Sequence, residues 1–356
     1  MPCSWSRRRF LGGMAAAVAA RAQTPGLSTD RSTVALAAGG NRSDNVYQAL
    51  AAIDDQVRPV LRSKKTVLIK PNLVVASTPL AVTNIDALRG ILRYVRERFS
   101  GPILIAESSA EDTRAAFDFY DYPRLTREFS DLALLDLNQD AGYLVQNVID
   151  QDLHVQPVRV AARLFDPDAF IIASAILKTH DRVVATLSIK NMAMGAPLHS
   201  FAVSNGGWEW HDKPKMHDTH RLANVNIYQM AQRLKQYWGV AVIDGYEGME
   251  GNGPSQGTAV PSRVAIASTD FLAADRVGLA CMGIDPSLVG YLTYASRMGL
   301  GQYDLANIDV RGAAPADVKR TYALHRFVAD ELQWLEPFPA CTVSDGMSPV
   351  RNRGFR

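Results

Sequence analysis

The chain has 356 residues, of which 47% are apolar and 21% charged, and its 38 basic and 36 acidic residues give a net charge of +2. This balance excludes a disordered chain and predicts one large or two modest globular domains. Four of the basic residues lie within the first 22 residues, so the remainder is weakly acidic. That distribution argues against a nucleic-acid-binding protein, which needs clustered lysine and arginine.

The first 22 residues have the pattern of an export signal. Arginines at 7–9 precede Phe10 and Leu11, small apolar residues follow, and Ala20-Arg21-Ala22 resembles a signal-peptidase site. The paired arginines resemble a twin-arginine signal, which predicts a partner in the twin-arginine export machinery and a periplasmic or other extracytoplasmic location. A basic N-terminal helix or an uncleaved anchor is the alternative. The apolar run is too short to span a bilayer, and we expect no membrane span after signal removal.

Cysteine usage leaves one question open. The chain has three cysteines, too few for a disulfide-rich scaffold or a four-cysteine cluster. Export would remove Cys3 and leave Cys281 and Cys341 in an oxidising compartment. Whether these two pair depends on their separation, which the sequence does not determine.

Short apolar segments alternate with helical patterns from residue 33 onward. Strands are predicted at 33–38, 66–69, 103–106, 132–135, 169–174, 239–243, 263–267 and 308–311. Helices are predicted at 43–58, 84–98, 223–237, 271–282 and 287–297. This alternation predicts an α/β fold with parallel or mixed sheets flanked by helices and two sub-domains around a cleft.

We place the main domain at residues 33–312, with lobes at 33–150 and 151–312. A C-terminal extension is expected at 313–356. Residues 188–222 fit neither a helical nor a strand period and contain four of the seven histidines. Long irregular insertions in compact domains are usually functional or mobile.

Polar motifs follow several of the predicted strands. Lys70-Pro71-Asn72, Glu107-Ser108-Ser109, Lys178-Thr179-His180 and Asp244-Gly245 each stand where a strand ends. Ligands of open parallel sheets bind outside the carboxyl ends of the strands. We therefore expect these motifs to share one rim, although each alone is also compatible with an ordinary strand-to-loop transition.

The ordered motifs resemble the family described as domain of unknown function 362. The resemblance is carried by residues 67–72, 83–84, 106–109, 177–180, 186–191, 244–245 and 248–254, together spanning most of the chain after the signal. It implies no particular reaction, because the family has no generally established activity. Some members carry a fused iron–sulfur domain. This chain lacks the necessary cysteine run, so no intrinsic iron–sulfur cluster is expected.

Two groups of residues are candidates for catalysis. His180 would act as an acid or base, because imidazole titrates near neutrality, and Lys190 would hold the anionic substrate or transfer protons, because the pKa of a partly buried lysine can be lowered toward neutrality. Asp244 and Glu250, in a glycine-rich segment, would orient groups or bind a hard cation. Residues expected to bind the substrate are Lys70, Asn72, Glu107, Ser108, Lys178, Asn191 and Asn252. The alternative is that these lysines, glycines and acids only serve solvation and turn geometry.

A divalent metal is a further hypothesis. His217 and His220 are spaced to share one side of a helical turn, with His180 as a distant third ligand. The same spacing is common in loops without a metal.

The sequence thus predicts an exported enzyme that acts on a small anionic molecule by acid–base chemistry, with or without a metal. The alternative is an extracytoplasmic binding protein that captures a small anion or a metal without turning it over.

Overall fold

The computed structural model describes residues 31–200 and 209–336. The predicted signal at 1–22, Cys341 and the end of the predicted C-terminal extension lie outside these residues. Within the described ranges the chain forms twelve strands: β1 (Ser32–Ala38), β2 (Thr66–Pro71), β3 (Ile103–Glu107), β4 (Leu132–Asp136), β5 (Tyr143–Ile149), β6 (Val155–Ala161), β7 (Ala169–His180), β8 (Val184–Thr186), β9 (Trp238–Glu250), β10 (Thr258–Val260), β11 (Val264–Ser268) and β12 (Ile308–Gly312).

Eleven α-helices connect these strands in the same part of the chain. They are α1 (Arg42–Ala52), α2 (Asp54–Arg62), α3 (Ile85–Arg96), α4 (Thr113–Phe119), α5 (Pro123–Glu128), α6 (Ser188–Gly195), α7 (His220–Leu234), α8 (Phe271–Met282), α9 (Gly290–Arg297), α10 (Pro315–Val318) and α11 (Val328–Glu331). None of the helices in the described residues is both long and apolar enough to cross a membrane.

One mostly parallel sheet organises the molecule. Its order is β12-β1-β11-β9-β7-β2-β3-β4, with β8 and β10 paired to β7 and β9. Pairings from β9 through β7, β2 and β3 to β4 are parallel, whereas β11 runs antiparallel to both of its neighbours. All twelve residues of β7 are buried, as expected of a strand covered on both faces. The predicted α/β fold with a helix-flanked sheet is confirmed.

Two apolar clusters cover the two faces of the sheet. On one face, α1 and α3 pack against β2 and β11, and the inward residues of α3 include Leu88, Ile91 and Val95. On the other face, α6, α7 and α8 pack against β7, β9 and β11. Burial on both sides explains why the strands are continuously apolar rather than alternating.

The sheet is continuous across residue 150, where the sequence predicted a lobe boundary. β2, β3 and β4 come from the first half, and β7, which pairs directly with β2, comes from the second. The division into lobes at residue 150 remains a prediction. In the predicted C-terminal extension, residues 313–336 pack onto the fold and bury Tyr322 and Trp334.

Several elements differ from the sequence prediction. The helix predicted at 43–58 is interrupted at Ile53, a buried residue with φ −118° and ψ 23°. The segment from residue 188, predicted as irregular, begins with α6. Every side chain of α6 is buried, so the helix shows no amphipathic period that a sequence pattern would reveal. Cys281 is also buried, which raises the pKa of its thiol to about 12.

A carboxylate from a distant helix anchors the start of α6. The N-cap residue, Leu187, has an apolar side chain that cannot accept a hydrogen bond from the first amides of α6. The buried carboxylate of Asp275 accepts bonds from Ser188 N (2.8 Å), Ser188 Oγ (2.5 Å) and Ile189 N (3.0 Å). Burial raises the pKa of Asp275 to about 7, and the three donors oppose that rise. Asp275 thus replaces the local cap and ties α6 to α8.

We expect Asp275→Ala to lower the free energy of unfolding by about 2 kcal/mol or more, because it leaves buried donors without an acceptor. Urea denaturation is the measurement. The matched control is Asp317→Ala, since Asp317 is exposed on α10 and its removal should change stability by less than about 0.5 kcal/mol. Equal losses in both variants would show that Asp275 does not anchor α6.

Candidate functional site

The carboxyl ends of β2, β3 and β7 open into a cavity of about 400 Å³. These strands are neighbours in the sheet, so the motifs that follow them meet at one rim. Helix α6 and residues 211–217 complete the wall. The ionisable side chains that line the cavity are Lys70, Glu107, Lys178, His180, Lys190, His211, Lys213 and His217.

Lys70 lies at the centre of a fixed hydrogen-bond network. Its Nζ donates to Pro71 O (3.0 Å), Glu107 Oε2 (2.9 Å) and Asn191 Oδ1 (3.0 Å), which satisfies all three protons of an ammonium group. Glu107 also accepts from Leu73 N (3.2 Å) and Ser108 N (2.8 Å). Burial lowers the pKa of Lys70 and raises the pKa of Glu107, and their ion pair opposes both shifts.

Asn72 holds the backbone around this network. Its amide N–H donates to Thr83 Oγ1 (2.8 Å), and its side chain donates to Ala81 O (2.7 Å). Thr83 in turn donates to Ser174 O on β7 (2.7 Å). The predicted Lys-Pro-Asn and Thr-Asn motifs are therefore joined in space, and their role here is to fix the loop after β2.

Lys178 is held by backbone carbonyl groups. Its Nζ donates to Ala81 O (2.9 Å) and lies 3.4 Å from Pro254 O. Burial and the nearby cation of Lys190 hold the pKa of Lys178 well below its usual range. Lys178 therefore has a fixed position but no carboxylate within 4.0 Å among the described residues.

Lys190 and Lys213 have fewer hydrogen-bond acceptors than the other two lysines. Lys190 is only 6% exposed, and among the described residues its Nζ makes no hydrogen bond. Within residues 31–200 and 209–336, the one acceptor of Lys213 Nζ is Met194 O, at 3.3 Å. Burial lowers the pKa of Lys190 to about 8 and of Lys213 to about 7. Both amines therefore have hydrogen-bonding capacity left for a ligand.

Two neutral imidazoles lie next to these amines. The rings of His180 and His217 are nearly parallel, with centroids 6.3 Å apart. His217 Nδ1 lies 3.3 Å from Lys213 O, which can only accept, so we assign the proton to Nδ1 and a free lone pair to Nε2. Burial lowers the pKa of His217 to about 3, and the pKa of His180 lies well below its usual value.

His180 has two neighbours that favour opposite tautomers. Its Nδ1 is 3.1 Å from the amide of Arg182, which can only donate, and 3.1 Å from Asp181 Oδ1. Because burial and the cation of Lys190 disfavour the charged ring, we assign a neutral imidazole whose Nδ1 accepts from Arg182.

The cavity therefore has a strong excess of basic groups. Four lysines line it, against one carboxylate among the described lining residues, Glu107. A cleft lined by charges of one sign attracts ions of the opposite sign. Apolar lining from Leu73, Val74 and Met194 lies beside these charges.

The arrangement is less suited to the predicted metal. His220 does not line the cavity, and its Nδ1 lies 3.4 Å from Arg182 O. Within residues 31–200 and 209–336, the three histidines do not bring ligand atoms within 4.8 Å of one another. Neighbouring amines would also repel a divalent cation. The metal remains a prediction.

The structure brings together most of the predicted site residues and places four elsewhere. Those that line the cavity are Lys70, Asn72, Glu107, Ser108, Lys178, His180, Lys190, Asn191 and His217. His220, Asp244, Glu250 and Asn252 do not line it.

Asp244 and Glu250 have other partners. Asp244 pairs with Arg42 Nε at the start of α1 (3.1 Å), and burial raises the pKa of Asp244 to about 6. Glu250 accepts a bond from Ala323 N (2.8 Å). The segment between them, predicted as a glycine-rich loop, is the end of β9, where Gly248–Glu250 pairs with β10.

Lys213 and His211 also line the cavity, but the sequence analysis did not predict them as site residues. Both lie in the aperiodic segment that the sequence indicated as functional or mobile. His211 stacks on His199 with ring centroids 4.9 Å apart. The available signal was the concentration of histidine and lysine in this segment, not their spacing.

Gly195 is required for the close approach of α6 to Lys70. A Cβ at this position would overlap Cε and Nζ of Lys70. We expect Gly195→Ala to displace Lys70 from Glu107 and to lower the free energy of unfolding by about 1–3 kcal/mol, as measured in urea. In the control Gly142→Ala, the added Cβ would meet only the Ala162 methyl, at 3.3 Å, and a much smaller loss is expected. Unchanged stability of Gly195→Ala would refute this packing argument.

Comparison with known proteins gives three findings. The family profile described as "Domain of unknown function (DUF362)" matches residues 67–280. The thylakoid-associated protein sll1697 of Synechocystis sp. is 23% identical over 236 residues, which cover 66% of this chain and 68% of that protein.

A crystal structure of a structural-genomics target from Thermotoga maritima matches with a TM-score of 0.39 and 11% sequence identity. The match covers 65% of this chain and 57% of that one. The profile match includes β2, β3, β7 and α6, which form most of the cavity wall, and extends over more than half of the sequence. The chain therefore belongs to the DUF362 family.

Proposed function

We propose that the cavity binds a small anionic molecule and that the protein acts on it by acid–base catalysis. The observation that carries this proposal is the buried amine of Lys190, which faces the cavity without a hydrogen-bond acceptor among the described residues. An anionic ligand in the cavity would supply a charged hydrogen-bond partner for this amine.

The neighbouring groups support proton transfer. His217 has a free Nε2 lone pair in our assignment, and Lys190 and Lys213 have pKa values near 8 and 7. The two amines titrate close to neutral pH and would exchange protons effectively with a substrate, whereas His217, with a pKa of about 3, would stay neutral and accept a hydrogen bond. His180 would assist as a second neutral imidazole. Asp244 and Glu250 have no role in this proposal, since neither lines the cavity.

Anion binding should be accompanied by proton uptake. The pKa values of Lys190 and Lys213 lie below the usual lysine value, so both amines are partly neutral at about pH 8. A bound anion favours their charged forms. Affinity should therefore be constant well below pH 7, where both amines are charged, and fall as the pH rises through about 7 and 8, where Lys213 and then Lys190 lose their protons. Calorimetric titration with oxalate, malonate, phosphate and sulfate, in two buffers of different ionisation enthalpy, measures both affinity and protons.

Lys190→Met should lower the affinity for the most tightly bound of these anions at least about tenfold, because it removes a buried charged partner. Lys65→Met is the control, since Lys65 precedes β2, is exposed and pairs only with Asp168. Binding that is absent for all four anions, or equal in the two variants, would contradict the proposal. Binding without turnover of any small anion would instead favour a binding protein.

We also propose that the protein is exported. The support is the order of basic, apolar and small residues in positions 1–22, which lie outside the described structure. A receptor reads the paired arginines as an address, so their positive charge alone does not suffice.

We expect the double change Arg7→Lys, Arg8→Lys to keep the protein in the cytoplasm of a bacterial host. Fractionation followed by N-terminal sequencing is the measurement, and the exported wild-type chain should begin at Gln23. Arg21→Lys is the control and should be exported normally. Equal export of the double variant, or export in a strain without the twin-arginine translocase, would contradict this assignment.

A further inference from the structure

We infer that Lys190 is a nucleophilic amine that forms an imine with an anionic carbonyl compound, such as a 2-oxo acid, held in the cavity. This inference rests on the proposed anion binding and specifies the substrate class. It assigns Lys213, which has hydrogen-bonding capacity left, to hold the acid group and Lys190 to react with the carbonyl group.

The geometry distinguishes Lys190 from its neighbours. Lys70 has three acceptors, Lys178 has backbone carbonyls, and Lys213 has the carbonyl of Met194. For Lys190, the described residues provide no acceptor within hydrogen-bond distance and no carboxylate within 4.0 Å. Nothing in the described structure therefore occupies its lone pair once the proton is lost. A nucleophilic amine needs this condition.

The electrostatic surroundings favour loss of that proton. Charged or titratable groups that act on Lys190 come from β2, β7 and the segment before α7, and they are Lys70, Lys178, His180, Asp181 and His217. Burial and the cation of Lys70 outweigh the attraction of Asp181, and the pKa of Lys190 falls to about 8. Desolvation and neighbouring cations are the established ways to activate a lysine nucleophile.

The reaction balances without an oxidant or reductant. Nζ of neutral Lys190 attacks the carbonyl carbon, a C–N bond forms as the C=O π bond breaks, and one of the two Nζ protons passes to the carbonyl oxygen, which becomes a hydroxyl group. His217 Nε2 accepts a hydrogen bond from the remaining Nζ–H, and this second proton passes to the leaving hydroxyl group, so that water departs as the C=N bond forms. Lys213, which has hydrogen-bonding capacity left, holds the carboxylate of the substrate during these steps.

Reductive trapping tests the inference directly. The mature protein is incubated with cyanoborohydride and glyoxylate, pyruvate or 2-oxoglutarate, and peptide mapping locates the modified lysines. At about pH 8 the neutral fraction of Lys190 exceeds that of a surface lysine by about 100-fold, so we expect labelling there at least about tenfold faster. Labelling should be fastest near pH 8, because the neutral fraction of Lys190 rises with pH while the affinity for the anion falls, and excess malonate should suppress it.

Lys190→Arg keeps the positive charge but removes the nucleophile, because arginine stays protonated. It should abolish the fast label, whereas Lys65→Met should keep it. No preferential label at Lys190 with any of the three compounds would overturn the inference. Lactate and malonate separate the two levels, because they carry a carboxylate without a carbonyl group. If lactate and malonate bind but no 2-oxo acid is trapped at Lys190, only the imine is rejected. If lactate and malonate also fail to bind, anion binding is rejected as well. Malonate protection needs no variant, so the test does not depend on the folding of Lys190→Arg.

Discussion

The site depends on the cost of burying positive charge. Four nearly buried lysines share the cavity wall, and Glu107 is the one carboxylate among the described residues that line it. A buried amine can accept fixed partners, lose its proton or bind an anion. Lys70 has three fixed acceptors. Lys190 has none among the described residues, so it can lose its proton or bind an anion. The chemistry of the cavity follows from this difference.

The scaffold produces that difference through contacts between distant parts of the chain. Parallel pairing of β2 with β3 and β7 brings three polar strand ends together. Asp275 anchors the first turn of α6, and Gly195 at its end leaves room for the amine of Lys70. The helix is thus positioned at both ends, which sets Lys190 in the wall while Asn191 turns toward Lys70. A shift of α6 would therefore change which acceptors Lys70 and Lys190 can reach.

Much of the fold was predictable because local patterns carry it. Short apolar runs indicated the main strands, and the shared rim followed from their parallel arrangement, which placed Lys70, Glu107 and Lys178 together. The same reasoning placed Asp244 at this rim, but Asp244 does not line the cavity. It stands on a buried strand, and its side chain meets Arg42 of α1 rather than the cavity. The glycines after it continue β9 because β10 pairs with them, a contact that spacing along the chain does not reveal.

The sequence by itself determined the α/β class, the family motifs and the identity of most polar residues at the rim, because these depend on short-range patterns of apolar and polar residues. Tertiary structure decided which amines have partners. Lys178 and Lys190 look alike in the sequence, but one donates to Ala81 O and the other has no acceptor among the described residues. Acceptors come from residues far away in the chain, so only the folded arrangement determines where positive charge is left for a ligand.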